Sequence, residues 1–160
     1  LVLDPVNTAL FDETEAYLYA ASRCQNVRAL IRPALLRGDA VVCDRFVDSS
    51  IAYQGGGRQL GTERIAQINR EAVGDTLPDI TIYLRMQPDV ALSRRLNASE
   101  PDRLEREKES FFVRTFEAYE ALYAQEGMER VITVDASRSI GEVTQEMLAK
   151  LDERLSQLAI

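Results

Sequence analysis

Residues 44–58, DRFVDSSIAYQGGGR, concentrate side chains suited to polar recognition directly after the apolar run Ala40–Cys43. Asp44 is a carboxylate at what reads as a strand end. It suits a hydrated Mg²⁺ or a phosphate-bound water, and equally a helix cap or a turn. Arg45 offers a planar fork of donors that matches phosphate oxygens; the alternative is a surface ion pair with Asp44. Ser49, Ser50 and Gln54 fall within one or two helical turns, and positions 50 and 54 share a face at i,i+4 spacing. A hydroxyl and an amide on one face suit the donor and acceptor edge of a heterocycle, or plain solvent. Gly55–Gly57 do not form a GxxxxGK(S/T) phosphate loop, because no lysine follows them and no Ser or Thr opens a helix there. They read as a backbone turn with Arg58 reaching back over it.

A second cluster lies upstream in YLYAASRCQ, residues 17–25. Tyr19 and Arg23 are four apart on one helix. A ring there suits stacking on a base while the guanidinium bonds the base's carbonyl. The competing reading is that Tyr17 and Tyr19 are packing residues. Downstream, Arg94, Arg95, Arg103 and Arg106 flank the polar segment 97–106. Such a run suits a solvated face, or a lid whose guanidinium groups close over a transferring phosphoryl, neutralise its charge and exclude water.

The bulk numbers narrow these options. The chain has 160 residues, 46% hydrophobic and 28% charged, enough for a core and unlike a disordered composition. A formal charge of −7 argues against a nucleic-acid polymer as partner, since such a partner needs broad basic surface; a few focused arginines suffice for a small phosphorylated ligand. The absence of histidine removes imidazole acid–base chemistry and most zinc sites. Cys24 and Cys43 sit in apolar contexts and read as reduced core thiols of a cytosolic protein. No apolar run approaches the roughly 20 residues of a membrane span. The first ten residues, LVLDPVNTAL, carry neither a basic n-region nor an initiator Met, so they read as neither a signal peptide nor a native start.

The elements that must position these groups follow from periodicity. Asp12 is expected to cap a helix from Glu13 to Arg37, bent at Pro33 and stopped at Gly38. Residues 40–43 read as a short strand buried on both faces. Residues 47–54 and Thr62–Val73 read as helices, the second capped by Thr62. Strands are expected at 79–85 and 130–136. Helices are expected from Pro88 to about Leu96, from about Glu107 to Gln125, and from Ser139 toward Leu158. Strands alternating with helices specify an α/β fold with a parallel sheet, in which ligands bind beyond the C-terminal strand ends. Asp44 and Arg45 lie at such an end.

Together, CDRFVDSSIAYQGGGR, LYAASRCQ, LPDITIYLRMQPDVALSRR and DRLEREKESFF resemble the thymidylate kinases of bacteria, over essentially the whole chain. The resemblance implies a P-loop NTPase, nucleoside-monophosphate-kinase-like parallel sheet flanked by helices. It implies one domain over 1–160, the C-terminal three-quarters of that fold, with a lid at about 97–106. It implies ATP-dependent phosphorylation of dTMP to dTDP, with Mg²⁺, in a cytoplasmic homodimer that binds no nucleic-acid polymer and no membrane. By the same resemblance Tyr19 stacks on thymine, Ser22 and Arg23 approach the base with Arg23 near O4, and Arg45 binds the dTMP phosphate. Asp44 lies near metal and phosphates, Ser50 and Gln54 contact the pyrimidine, and Tyr53 walls the nucleoside. Arg103 is the lid candidate for the ATP phosphates, with Arg94 and Arg95 as second choices. Phe46 stands where a tyrosine often follows Asp-Arg. Nothing in the chain matches the family's N-terminal strand, its GxxxxGK(S/T) loop or the EPGGT-like stretch after it, so these 160 residues by themselves are expected not to transfer phosphate. A non-catalytic nucleotide-binding relative and a kinase for another nucleoside monophosphate are the alternatives.

Overall fold

The computed structural model describes residues 2–4, 6, 7, 9–95, 103, 104, 107–125 and 127–158, with the side chain of Arg95 excepted. The chain divides into two compact units. One comprises Leu1–Leu77 and Ser99–Leu122, the other Pro78–Ala98 and Tyr123–Ile160.

In the first unit, α1 spans Asp12–Asn26. Phe11 occupies the N-cap and gives no side-chain cap, so Asp12 opens the helix rather than capping it. With Glu13 and Glu15 it puts three acids in the first turn, where the helix dipole favours them. The helix then widens into a π-helical stretch, Val27–Ile31, before resuming as α2, Arg32–Leu36. This widening stands where a bend was expected. Pro33 has no N–H to give and its ring crowds the preceding turn, and a looser turn just before it relieves that conflict. Gly38, at φ 82°, ends the helix and donates to the Leu35 carbonyl at 2.9 Å. Arg32 fastens this arm by donating to Thr76 Oγ1 at 2.7 Å, to the Val73 carbonyl at 3.1 Å and to Asp75 at 2.7 Å.

Residues 40–43 correct the sequence reading. They form no strand, and Val42 and Cys43 are exposed. A strand of this type needs hydrogen-bonding neighbours on its edges, and among the described residues the sheet consists of two strands that pair with each other. For the same reason Cys43 is not a core thiol; it is free and exposed, and Cys24 is half-buried.

α3, Val47–Ser50, runs directly into a second π-helical stretch, Ile51–Gly57. The three glycines therefore continue the helix rather than forming a separate backbone turn. Their lack of side chains has a steric cause. A Cβ on Gly56 would lie 2.4 Å from the Ala118 Cβ, and one on Gly57 would lie 2.5 Å from Thr115 Oγ1 and 2.6 Å from the Phe111 ring. One on Gly55 would meet the Thr62 Cα at 2.8 Å. The run thus lets one turn lie flush against α6, Glu109–Tyr123, and α4, Thr62–Val73. Arg114 of α6 donates twice to the Gly57 carbonyl, at 2.8 and 3.1 Å. Gly57→Ala is expected to destabilise the protein by about 1–3 kcal/mol through overpacking, read as a fall of several degrees in melting temperature.

α4 starts behind Gly61 and buries Ile65, Asn69 and Val73 at i,i+4 spacing. Gly61, not Thr62, holds the N-cap position. The core of this unit is built from these residues together with Ala16, Ala20, Val27, Val47, Ile51, Ala52 and Phe111.

In the second unit, β1, Thr81–Arg85, and β2, Val131–Asp135, pair in parallel with Thr81 opposite Val131 and Arg85 opposite Asp135. α5, Pro88–Arg95, follows β1, and α7, Ile140–Leu158, follows β2. Strand–helix–strand alternation thus yields the parallel pairing expected of an α/β chain, with two strands rather than three among the described residues. α7 opens on a reciprocal cap. The Ser139 N–H donates to Glu142 Oε2 at 3.1 Å, and the Glu142 N–H to Ser139 Oγ at 3.4 Å. The Ser139 hydroxyl, then its N–H, hold the Glu142 carboxyl below the usual carboxylate range. Among the described residues no helix is long and apolar enough to cross a membrane.

Candidate functional site

The first unit contains a cavity of about 290 Å³ lined by Tyr19, Ser22, Arg23 and Asn26 of α1, by Leu30 and Ile31, by Val41–Cys43, and by Arg45 and Phe46. The i,i+4 spacing of Tyr19 and Arg23 brings both to the same wall. Four predicted site residues, Tyr19, Ser22, Arg23 and Arg45, therefore share one space. Ser50, Tyr53 and Gln54 are not among its lining residues; Ser50 contacts Arg23 and Tyr53 contacts Arg45.

Arg23 is the most constrained of them. Its Nη1 donates to Asn69 Oδ1, and its Nη2 donates to the Phe46 carbonyl at 3.2 Å and to Ser50 Oγ at 3.0 Å. Its Cζ stands 5.6 Å from the centre of the Phe46 ring. Burial pulls its pKa below the ordinary arginine value, against the upward pull of Cys43 and Tyr19. The group remains a cation at neutral pH and offers donors only.

Arg45 follows Asp44 in the exposed turn and has φ 67°, a left-handed backbone unusual for a residue with a Cβ. That geometry swings its guanidinium over the Tyr53 ring, 4.3 Å from the centroid. Burial of that end lowers its pKa. The Tyr53 and Tyr119 hydroxyls outweigh burial and hold the pKa above the ordinary value, although the residue as a whole is exposed. Tyr53 is braced edge-on by Phe111 at 5.9 Å and Tyr119 at 6.4 Å. The Tyr119 hydroxyl donates to Ser49 Oγ at 2.8 Å, and burial raises its pKa.

The cavity thus offers an aromatic plate and two donor-only guanidinium groups, Arg23 and Arg45, in its lining. That suits a flat heterocycle with a ring carbonyl joined to an anion.

The chain matches the family model described as "Thymidylate kinase" over residues 2–147. It is 42% identical over 163 residues to a thymidylate kinase of Lactobacillus helveticus, covering 99% of this chain and 75% of that relative. It is 48% identical over 145 residues to one of Lactobacillus delbrueckii subsp. bulgaricus, covering 89% and 68%. With one of Bacillus velezensis the identity is 40% over 162 residues, covering 100% and 76%. The chain belongs to the thymidylate kinase family. Membership brings the P-loop NTPase fold, the class of nucleoside-monophosphate phosphotransferases and ATP as co-substrate. The comparisons lend no support to a non-catalytic relative or to a kinase for another monophosphate.

Within this thymidylate kinase fold, Gln54 does not line the cavity. Its Nε2 donates to Glu15 Oε1 at 2.8 Å. Glu15 is fully buried and also receives Arg58 Nη2 at 3.2 Å and Arg103 Nη2. Arg58 does not fold back over the glycines. It spans Glu15, Asp12 at 3.3 Å and Glu107 at 2.5 Å. Arg103 also donates through Nε to the Val2 carbonyl at 2.7 Å. Arg94, in the second unit, donates to the carbonyls of Ala136 at 2.7 Å, Arg138 at 3.2 Å and Ser137. The Arg95 side chain, Arg106 and the expected lid, apart from Arg103 and Leu104, lie outside the described residues. Sequence reasoning missed Glu15 and Asn69. The available signal was a polar residue set into an apolar stripe, as Asn69 is between Ile65 and Val73.

Proposed function

We propose that this protein phosphorylates dTMP to dTDP with ATP, and that the cavity of the first unit is its dTMP site. The observation that carries this reading is the shared space of Tyr19, Arg23 and Arg45. Tyr19 stacks on thymine. Arg23 donates to the O4 edge, with Ser22 beside it and Ser50 behind it. Arg45 takes the 5′-phosphate, and Tyr53 supports both Arg45 and the nucleoside wall. Gln54, buried and bonded to Glu15, supports this part of the unit without lining the pyrimidine pocket. Arg103 is the candidate for the ATP phosphates, with Arg94 and Arg95 as second choices; reaching ATP requires Arg103 to exchange its bonds to Glu15 and the Val2 carbonyl. Phosphoryl transfer asks for positioning and charge neutralisation more than for covalent work, which fits a chain without histidine.

Mg²⁺ keeps several waters and takes most of its protein-side hold from one or two carboxylates plus substrate phosphates. No group of three or more acidic, Cys or His ligands occurs among the described residues. The lone exposed Asp44 fits an ion held chiefly by nucleotide oxygens. Mg²⁺ supplies charge neutralisation at those oxygens; the chain supplies Asp44 to place it and Arg45 to orient the acceptor phosphate.

The reading treats 1–160 as one catalytic domain with 97–106 as its lid, acting in the cytoplasm as a homodimer on nucleotides rather than polymers. The −7 charge supports the last point. The exposed Tyr17, Leu35 and Leu36 of α1 and α2 supply apolar surface for a second copy.

Isothermal titration of the protein with dTMP, dUMP, dCMP and dTTP tests the site. dTMP should bind tightest. dCMP should bind weakest, because its amine would face the Arg23 donors. Equal affinity for dTMP and dCMP would remove Arg23 from the base edge.

A further inference from the structure

We propose that Asn69 is a positioning residue that fixes the Arg23 guanidinium and thereby sets the preference for a ring carbonyl over a ring amine. The proposal rests on the role given to Arg23 above.

Asn69 is 1% exposed and lies outside the cavity lining. Its amide has no freedom to flip. Nδ2 donates to the Ile65 carbonyl one turn earlier at 2.8 Å, so Oδ1 has to face Arg23 and accept from Nη1. Gly61 ends the loop before α4, and Ile65 and Val73 anchor the helix on either side of Asn69. The acceptor therefore sits at a fixed depth. On the other side of the guanidinium, the Phe46 carbonyl and Ser50 Oγ take up Nη2. Three acceptors, one from α4 and two from α3 and its N-cap, leave the cation one orientation. Among the described residues, Nε–H and the second Nη1–H have no other partner. They remain available, and both are donors. A base carbonyl can accept from them; an exocyclic amine cannot. Without Asn69 the guanidinium keeps Ser50 and Phe46 but is free to pivot about them, and its spare donors lose their aim.

The test combines nucleotide titrations with three variants. Asn69→Leu keeps the volume and removes the acceptor. It should weaken dTMP about 10-fold, the size of one hydrogen bond to a charged group, while leaving dCMP within about 2-fold, so that the dTMP:dCMP ratio collapses. Asn69→Asp keeps an acceptor toward Arg23 and should restore dTMP binding to within about 3-fold of the parent. Should the leucine variant not fold, Asn69→Ser serves instead, since its short hydroxyl satisfies the Ile65 carbonyl but ends short of Arg23; it should show the same loss. In an Arg23→Met background the Asn69 variants should have no further effect. The proposal is overturned by unchanged dTMP affinity in the leucine or serine variant, by equal losses of dTMP and dCMP, by an aspartate variant as weak as the leucine one, or by an additive loss in the Arg23→Met background. Arg23→Met binding dTMP like the parent would instead defeat the role of Arg23 itself.

Discussion

Arg23→Ala weakens dTMP binding about 100-fold while ATP affinity stays within a few-fold. A hydrogen bond to a charged group contributes about 1.5–3 kcal/mol, and each 1.4 kcal/mol is tenfold. The direct loss alone therefore spans about one to two decades. The upper end is expected because the deletion also orphans Asn69 Oδ1 and Ser50 Oγ, both buried outside the cavity lining. Paired titrations of the protein with dTMP and with ATP read the split. Comparable damage to both nucleotides would place Arg23 in the general packing of the unit and not on the dTMP side.

Glu15→Ala has the largest expected effect on stability. The carboxylate is fully buried and receives Gln54, Arg58 and Arg103, whose guanidinium side chains are only 9% and 11% exposed. Breaking a buried pair by removing one partner costs about 3–5 kcal/mol, because the remaining charge stays buried without compensation. For a chain of this size that corresponds to a drop in melting temperature of about 6–20 °C. Asp12 provides the internal contrast. Its side chain is 43% exposed against the same Arg58, and pairs exposed to that degree contribute about 0–1 kcal/mol. Asp12→Ala should melt within a few degrees of the parent. If Glu15→Ala and Asp12→Ala melt alike, the buried cluster does not hold the unit together.

What the sequence made legible was local. Thr62–Val73, Pro88–Arg95 and the two parallel strands emerged at or near their expected limits, since apolar periodicity and start signals act over a few residues. The Tyr19–Arg23 pair was legible for the same reason: four residues apart on a helix means one wall. What failed depended on partners distant in sequence. Residues 40–43 have the composition of a buried strand, but a strand is a pairwise object and composition cannot name its neighbour. The glycine run read as a backbone turn because nothing nearby announces that Phe111, Thr115 and Ala118 press on it. Glu15 read as one more acid in a helix's first turn, since its three donors come from 39 to 88 residues away. Ser50 and Gln54 were expected to serve one ligand edge together. In the structure Ser50 accepts from Arg23 and Gln54 donates to Glu15, protein partners that spacing alone does not name.

The left-handed backbone at Arg45 has a practical consequence. Holding a residue with a Cβ in that region costs about 1–2 kcal/mol, and a guanidinium resting on an aromatic face returns about 0.5–2 kcal/mol. The two nearly cancel, so a glycine at 45 would shed the penalty and the reward together. Thermal robustness should therefore be almost blind to that exchange, while anion capture should not be. Position 45 is a place where affinity can be edited and the architecture left alone.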